Sequence, residues 1–227
     1  MQSTDVLFCV FEFVVFLFSI SVHESAHAWV ASRLGDHTAR SLGRVSLNPM
    51  DHVDPIGTLL IPALMIFGPL FGIGYLGRFI FGWAKPVPVI SRNFRNYRRD
   101  DILVSMAGPA SNLLLALLAF LALAAIYLSE SRLPDGVDPS AALQGLEQIC
   151  TIGFRLNLVL CIFNLIPIPP LDGSHVLRQF LPYHAVEVYD KIAGVASYLL
   201  IIFIGPVILG VVMNPLMNLA YGILNRI

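Results

Sequence analysis

Between Val6 and Leu34 the chain is apolar with few interruptions. As a helix such a run is about 43 Å long, more than the ~30 Å hydrocarbon core of a bilayer requires. Set inside it is Val22-His23-Glu24-Ser25-Ala26-His27-Ala28, an H-E-x-x-H motif. Ionisable side chains are costly in a membrane-length helix, and those that persist there mark function. On a helix, His23 and His27 share one face, where two imidazole nitrogens can hold a single metal ion. Glu24 falls on the adjacent flank, where a carboxylate can take a proton from a water that the metal activates. Zinc suits this set, because it accepts His and carboxylate ligands and its catalytic sites keep one position open. The plainer alternative is a pair of histidines packed against neighbouring helices, and the setting weighs against it.

Composition points the same way. Hydrophobic residues make up 56% of the chain and charged residues 13%, the balance of a polytopic membrane protein and not of a soluble enzyme. A net charge of -1 leaves no basic excess to neutralise phosphates, which argues against a nucleic-acid partner. Cys9, Cys150 and Cys161 are far apart in apolar segments and form no CxxC pair, so they read as small core residues. Met1 to Asp5 carries no Lys or Arg and no cleavage site follows, so the first helix is expected to be retained. For 227 residues a single domain, 1–227, is the natural expectation.

Along the chain, Asp36–Asp54 is polar and irregular, with loose alternation over Ala39–Leu47 that predicts a short strand at the membrane edge. His52 and Asp54 form an H-x-D pair within reach of a metal; the favoured reading is that Asp54, before Pro55, starts a helix. Ile56–Phe81 is apolar but broken by Pro62, Pro69 and several glycines, and prolines keep Trp83–Val89 extended. Ile102–Leu128 and Ala141–Leu165 are spans, the second carrying Arg155. The latter ends in Asn164-Leu165-Ile166-Pro167-Ile168-Pro169-Pro170-Leu171-Asp172-Gly173, where the prolines force the backbone open. Open backbone at membrane depth is tolerated only where protein or a water-filled cavity satisfies it. Tyr189–Ile227 is apolar again, with kinks or breaks expected at Gly205-Pro206 and Asn214-Pro215. The expected fold is an all-α polytopic membrane protein, a bundle of about five or six membrane segments with short membrane-edge β-strands. Glu12 and Arg155 should lie at similar depth, which predicts a buried pair or a shared polar cavity.

Two histidines and a water leave zinc one ligand short. Asp172, in its proline-broken turn before Gly173, is the best candidate; its alternative role is to cap the helix that follows. Taken together, H-E-x-x-H at His23–His27, G-P-x-x-N at Gly108–Asn112 and N-x-x-P-x-x-x-L-D-G at Asn164–Gly173 resemble the site-2 proteases, intramembrane zinc metalloproteases. The resemblance is to a compact form, since Ser129–Ser140 has no room for a PDZ domain. It implies that His23, His27 and Asp172 bind Zn2+ and that Glu24 is the general base. Asn112 and Asn164 would hold the substrate strand or stabilise the oxyanion. It further implies membrane-protein substrates that present transmembrane helices within the lipid bilayer. Such a helix must unwind before attack, and an extended segment such as Lys85–Val89 can pair with it as an added strand. A membrane metal transporter also buries His and Asp, but it would repeat them in symmetric halves. A non-catalytic scaffold would have no need of an intact base.

Charge distribution sets the expected topology. Arg33, Arg40 and Arg44 lie in the first loop, and Arg78, Lys85, Arg92, Arg95, Arg98 and Arg99 in the segment before the second clear span. Ser129–Ser140 has only Arg132, against Glu130, Asp135 and Asp138. The positive-inside rule then places both basic segments, and the metal site, toward the cytoplasmic side of a bacterial-type cell membrane. Ile56–Phe81 would begin and end on that side, as a re-entrant hairpin or a pair of short helices and not as one span.

Overall fold

The computed structural model describes residues 3–72, 82–132, 134, 138–192 and 195–226. Its α-helices, in chain order, are α1 (Ser3–Leu34), α2 (Thr38–Ser41), α3 (Ile61–Phe67), α4 (Tyr97–Glu130), α5 (Ala141–Asn164), α6 (Asp172–Arg178), α7 (Tyr183–Ile192) and α8 (Val195–Leu224), with a wider helical turn at Pro55–Leu60 leading into α3. Among the described residues, four stretches are long and apolar enough to cross a membrane: Asp5–Leu34, Tyr97–Glu130, Ala141–Asn164 and Leu199–Leu224. With these spans the chain is an integral membrane protein. The described residues hold four, where five or six are expected: Pro55–Phe71 is a shorter apolar helix, and the C-terminal apolar segment is a single helix. Pro206 and Pro215 both lie inside α8, and Pro109 inside α4, without ending them.

Local chemistry explains where the helices start. Asn96 accepts from the Arg99 N–H while Asp100 accepts from the Asn96 N–H, a reciprocal cap that opens α4. Ser140 accepts from the Leu143 N–H at the start of α5. Asp54 accepts from the N–H groups of Ile56 and Gly57, so its part in the H-x-D pair is that of a helix cap.

The order of contacts gives the helix directions. His27 and His23 on α1 meet Val104, Gly108 and Asn112 on α4, so these two helices run antiparallel. Phe16 and Ile20 pack against Leu156, with Leu160 alongside, so α1 and α5 run parallel. Ile201 packs against Ile166 and Leu171 beyond the end of α5, whereas Leu209 and Met213 pack against Leu158, so α8 runs back antiparallel to α5. The His-bearing half of α1, the start of α4 and the end of α5 therefore meet at one end of the bundle. Glu12 and Arg155 fall at similar depth and within electrostatic range of each other, but without an ion pair within 4 Å among the described residues. Leu156 and Asn157 are the residues that α5 turns toward α1, and Arg155 is left exposed.

No β-strand forms among the described residues, so the expected membrane-edge strands are not seen. Ala39–Leu47 instead begins as α2 and then turns at Gly43, whose φ of 71° lies in the left-handed region. Asp36 starts this course. It is fully buried, and its carboxylate accepts from the Thr38 N–H and hydroxyl, the Ile90 N–H and the Asn93 amide. Asp36 thus ties the end of α1 to the segment that leads into α4.

Residues 73–81 lie outside the described residues, but the chain on either side closes on itself. The Trp83 N–H donates to Gly57 O at 3.1 Å, and the Thr58 hydroxyl donates to Trp83 O at 2.7 Å. A Cβ on Gly57 would overlap the Trp83 ring, so only glycine lets the two strands of chain approach. The stretch that leaves at Gly57 is back at the same level by Trp83, as a re-entrant hairpin requires. Single cysteines at Thr38 and Asn96, in a background without Cys9, Cys150 and Cys161, should therefore react with an impermeant thiol reagent from the same face of the membrane. Labelling from opposite faces would exclude the hairpin.

Burial pushes the Asp36 carboxyl up, but the donors around it outweigh burial and hold it below its ordinary value. A folded value below the unfolded one means that Asp36 stabilises above the unfolded carboxylate range, about pH 4, and that this is lost as pH falls through the lowered value. Asp36→Ala should cost about 2–4 kcal/mol at neutral pH. The gap in melting temperature between parent and variant should narrow on acidification, measured by thermal unfolding in detergent.

Candidate metal centre

The helical spacing that puts His23 and His27 on one face of α1 leaves both rings buried, with their centroids 4.7 Å apart. Their Nε2 atoms are 3.1 Å apart. Asp172 reaches them from the end of the α5–α6 turn, with Oδ2 3.2 Å from His23 Nε2 and Oδ1 3.4 Å from His27 Nε2. The candidate ligand atoms of the three residues all lie within 4.8 Å of one another. The turn that delivers Asp172 is packed from inside by Ile166 and Leu171 against Ile201. Gly173 lies against the Leu165 carbonyl, where any Cβ would overlap, so the turn needs glycine. Asp172 does not cap α6; it is the first helical residue, after Leu171, and no side chain caps that end. Gln179 at the far end of α6 donates to Asp101 of α4 at 2.7 Å and fixes the short helix in place.

The outer ring nitrogens decide what the inner ones can do. His27 Nδ1 lies 2.7 Å from Val104 O, and His23 Nδ1 lies 2.5 Å from Asn112 Oδ1. Both partners accept, so the network assigns the ring protons to Nδ1 and leaves lone pairs on both Nε2 atoms. Two lone pairs and a carboxylate then converge on one point. Three converging acceptors need a cation between them, and a set of two imidazole nitrogens with one carboxylate is a donor set that zinc takes. The residues present therefore fit zinc.

α4 makes room for this convergence. A Cβ on Gly108 would overlap Nε2 of both His23 and His27, so glycine here sets how closely α4 approaches α1. Beside the three residues lies a cavity of about 560 Å³, whose wall includes Glu24, Ala84, Val87, Val89 and Asn164. Glu24 is half-buried on that wall. Asn164 is also on it, with its amide donating back to Leu160 O of its own helix. Asn112 is not: it is fully buried behind His23, between α1 and α5. His52 is fully buried too, but its Nε2 faces Ser46 O and the Ser25 hydroxyl, away from the His23–His27–Asp172 cluster.

Three participants escaped the reading of the sequence. The Val104 carbonyl has no side-chain signal. Gly108 was visible only as part of a motif. Asn157, whose side chain meets that of Asn112, did carry a signal, since an amide in the middle of an apolar span needs a partner.

Comparison with known proteins agrees with this chemistry. A family model described as peptidase family M50 matches residues 132–207. The chain is 40% identical over 192 residues to "Putative zinc metalloprotease YwhC" of Bacillus subtilis (strain 168), covering 84% of this chain and 77% of that protein. It is 34% identical over 165 residues to "Putative zinc metalloprotease Rip2" of Mycolicibacterium smegmatis, covering 73% and 55%. A third relative, "Putative zinc metalloprotease MJ0611" of Methanocaldococcus jannaschii, is 30% identical over 108 residues, covering 47% and 49%. No solved structure matches the chain.

The Gly108 contact yields a direct test. Gly108→Ala should part the two imidazoles and weaken zinc binding about tenfold or more, with helical content unchanged. Zinc per chain, measured by mass spectrometry against a chelator series, checks this. Parental zinc content in the variant would show that the α1–α4 contact can relax.

Proposed function

Because the chain belongs to peptidase family M50, as a site-2 protease family member and zinc metalloprotease, we propose that it hydrolyses peptide bonds in or near the transmembrane segments of membrane-protein substrates. His23, His27 and Asp172 hold the zinc, and Glu24 is the general base. The observation that carries this reading is the convergence of two imidazole lone pairs and a carboxylate beside a cavity with Glu24 on its wall. One domain, 1–227, contains all of these residues.

Zinc, when bound, would lower the pKa of water to about 7 and polarise the scissile carbonyl. The chain's own residues do the rest. Glu24, on the wall next to the His pair, takes the proton of the attacking water and passes it to the leaving amine. Asn164 is placed to donate to the developing oxyanion once its amide leaves Leu160 O; one such donor is worth about 3–4 kcal/mol elsewhere. Asn112, behind His23, holds that ring and stays away from substrate.

A substrate helix has its carbonyls tied up within itself and must be drawn out as a strand before attack. The segment after Gly82 supports such a step. The Trp83 and Lys85 N–H groups bond inward to Gly57 O and His52 O, and the Lys85 carbonyl accepts from Arg44. In an extended chain alternate residues point their backbone groups to opposite sides, so Ala84 turns its N–H and C=O the other way. Ala84, Pro86, Val87 and Val89 line the cavity. The segment thus offers an edge beside the metal centre for β-augmentation by an extended substrate. Leu113, Leu117 and Leu121 on α4, exposed on the outside of the bundle, fit contact with lipid. The basic residues on either side of Ile56–Phe81 support a site toward the cytoplasmic face of a bacterial-type cell membrane.

Cleavage of a transmembrane peptide by the detergent-solubilised protein tests the proposal. Glu24→Gln should retain zinc and lose hydrolysis by about 100-fold or more, because the ligands survive and the base does not. Hydrolysis at the parental rate would remove Glu24 from that role. Asp172→Ala should lose zinc together with activity, and a fully metallated, active Asp172→Ala would remove it from the ligand set.

A further inference from the structure

Asn157 sits near the middle of α5, flanked by Leu156 and Leu158, and is 3% exposed. Its amide nitrogen donates to Gly153 O, one turn back on α5, and to the Ser19 hydroxyl on α1, both at 2.9 Å. A backbone carbonyl can only accept, so this end of the side chain must be the nitrogen. The Asn157 oxygen is thereby aimed at α4, where it accepts from Asn112 Nδ2 at 2.9 Å. That bond in turn fixes which way the Asn112 amide faces. Its oxygen is the atom left toward His23 Nδ1.

We propose that Asn157 is a positioning residue for the metal centre: through Asn112 it sets the tautomer of His23, so that the Nε2 lone pair and not an N–H faces the metal position. This rests on the reading of His23 as a zinc ligand. The chain of dependence runs from Gly153 O through Asn157 and Asn112 to His23, across three helices, and every side chain in it is buried. Without the Asn157 oxygen, the Asn112 amide is free to turn over. It would then present its NH2 group to His23 Nδ1, which must drop its proton to accept. The proton moves to Nε2 and points at His27 Nε2 and Asp172, where it blocks the metal. With Asn157 in place, the same turn would set oxygen against oxygen and NH2 against a ring N–H. Asn157 touches neither metal nor substrate, and its effect on the centre passes through Asn112.

Zinc affinity of the full, detergent-solubilised chain is the readout, taken from metal content over a chelator series, with the visible absorption of the cobalt-substituted protein as a second signal. Asn157→Leu should bind zinc about 10–100-fold more weakly, the range seen when partners behind a metal-binding His are removed. Asn112→Asp supplies a carboxylate that accepts from His23 whichever way it turns. In the Asn157→Leu background it should recover most of the loss. In the parent background it should instead weaken binding, because its second oxygen faces the oxygen of Asn157. A lost packing contact would not produce that reversal of sign. Parental affinity in Asn157→Leu, or a double variant no better than Asn157→Leu, overturns the proposal. Should Asn157→Leu fail to fold, Asn112→Asp alone decides: affinity below the parent supports the relay, and affinity at or above it overturns the relay. His23→Ala in parallel separates the two layers, since parental zinc affinity in that variant would refute the metal-centre reading itself.

Discussion

Three acceptors aimed at one point inside a membrane protein are unstable company, and the architecture can be understood from what it takes to hold them there. The Nε2 lone pairs of His23 and His27 and the Asp172 carboxylate come from two segments far apart in sequence. Bringing them within hydrogen-bonding distance without a cation would cost several kcal/mol in a low-dielectric setting. Binding a divalent ion reverses the sign, because the same convergence becomes a ligand set. Helix packing must therefore hold the cluster while the ion is exchanged. It does so with residues that have no alternative: Gly108 where α4 crosses the rings, Gly173 where the turn folds on Leu165 O, and the apolar pack of Ile166, Leu171 and Ile201 behind Asp172.

The second demand is orientation. An imidazole can rotate or change tautomer at small cost unless its outer nitrogen is engaged. His27 is engaged by a backbone carbonyl, Val104 O, which cannot turn over. His23 is engaged by an amide, Asn112, which can. The asymmetry explains why one histidine of the pair stands alone on its helix contact while the other is backed by a row of buried polar side chains, Asn112, Asn157 and Ser19. Polar groups so placed are expensive in a membrane unless every member is satisfied, and here each has its partner.

Much of the site was legible because helical periodicity and backbone chemistry are local. The His23–His27 spacing on an apolar helix puts two rings on one face whatever surrounds it. The prolines before Asp172 forbid a continued helix, and Gly173 permits the tight return. Asp54 before Pro55 reads as a helix start, and the structure places its carboxylate on two N–H groups. What was not legible depends on distant contacts. Alternation over Ala39–Leu47 suggested a strand, but Asp36 draws Thr38, Ile90 and Asn93 onto itself and turns the chain before a strand can begin. Equal depth of Glu12 and Arg155 follows from helix length, whereas the want of a contact within 4 Å follows from which face α5 turns to α1. The resemblance makes Asn112 a contact to substrate or oxyanion, but the packing of α4 puts it behind His23 and off the cavity wall.

The same packing bears on how a buried site can meet a polymer. A peptide bond inside a helix is shielded by its own hydrogen bonds, so the enzyme needs an edge that competes for them. Paired strands within a sheet would offer none, because their backbone groups are already used. Trp83–Val89 is extended and anchored by backbone and side-chain bonds to Gly57, Thr58, His52 and Arg44, with Ala84, Pro86, Val87 and Val89 along the cavity. Pro86 and Pro88 cannot donate, which keeps the segment from continuing as a regular strand and from pairing with another copy of itself along its length. In the proposed reaction, Ala84 on this segment would align a few residues of extended substrate with Glu24. On the proposed reading, an edge limited to the few residues along the cavity would draw out only the stretch of substrate beside the metal centre.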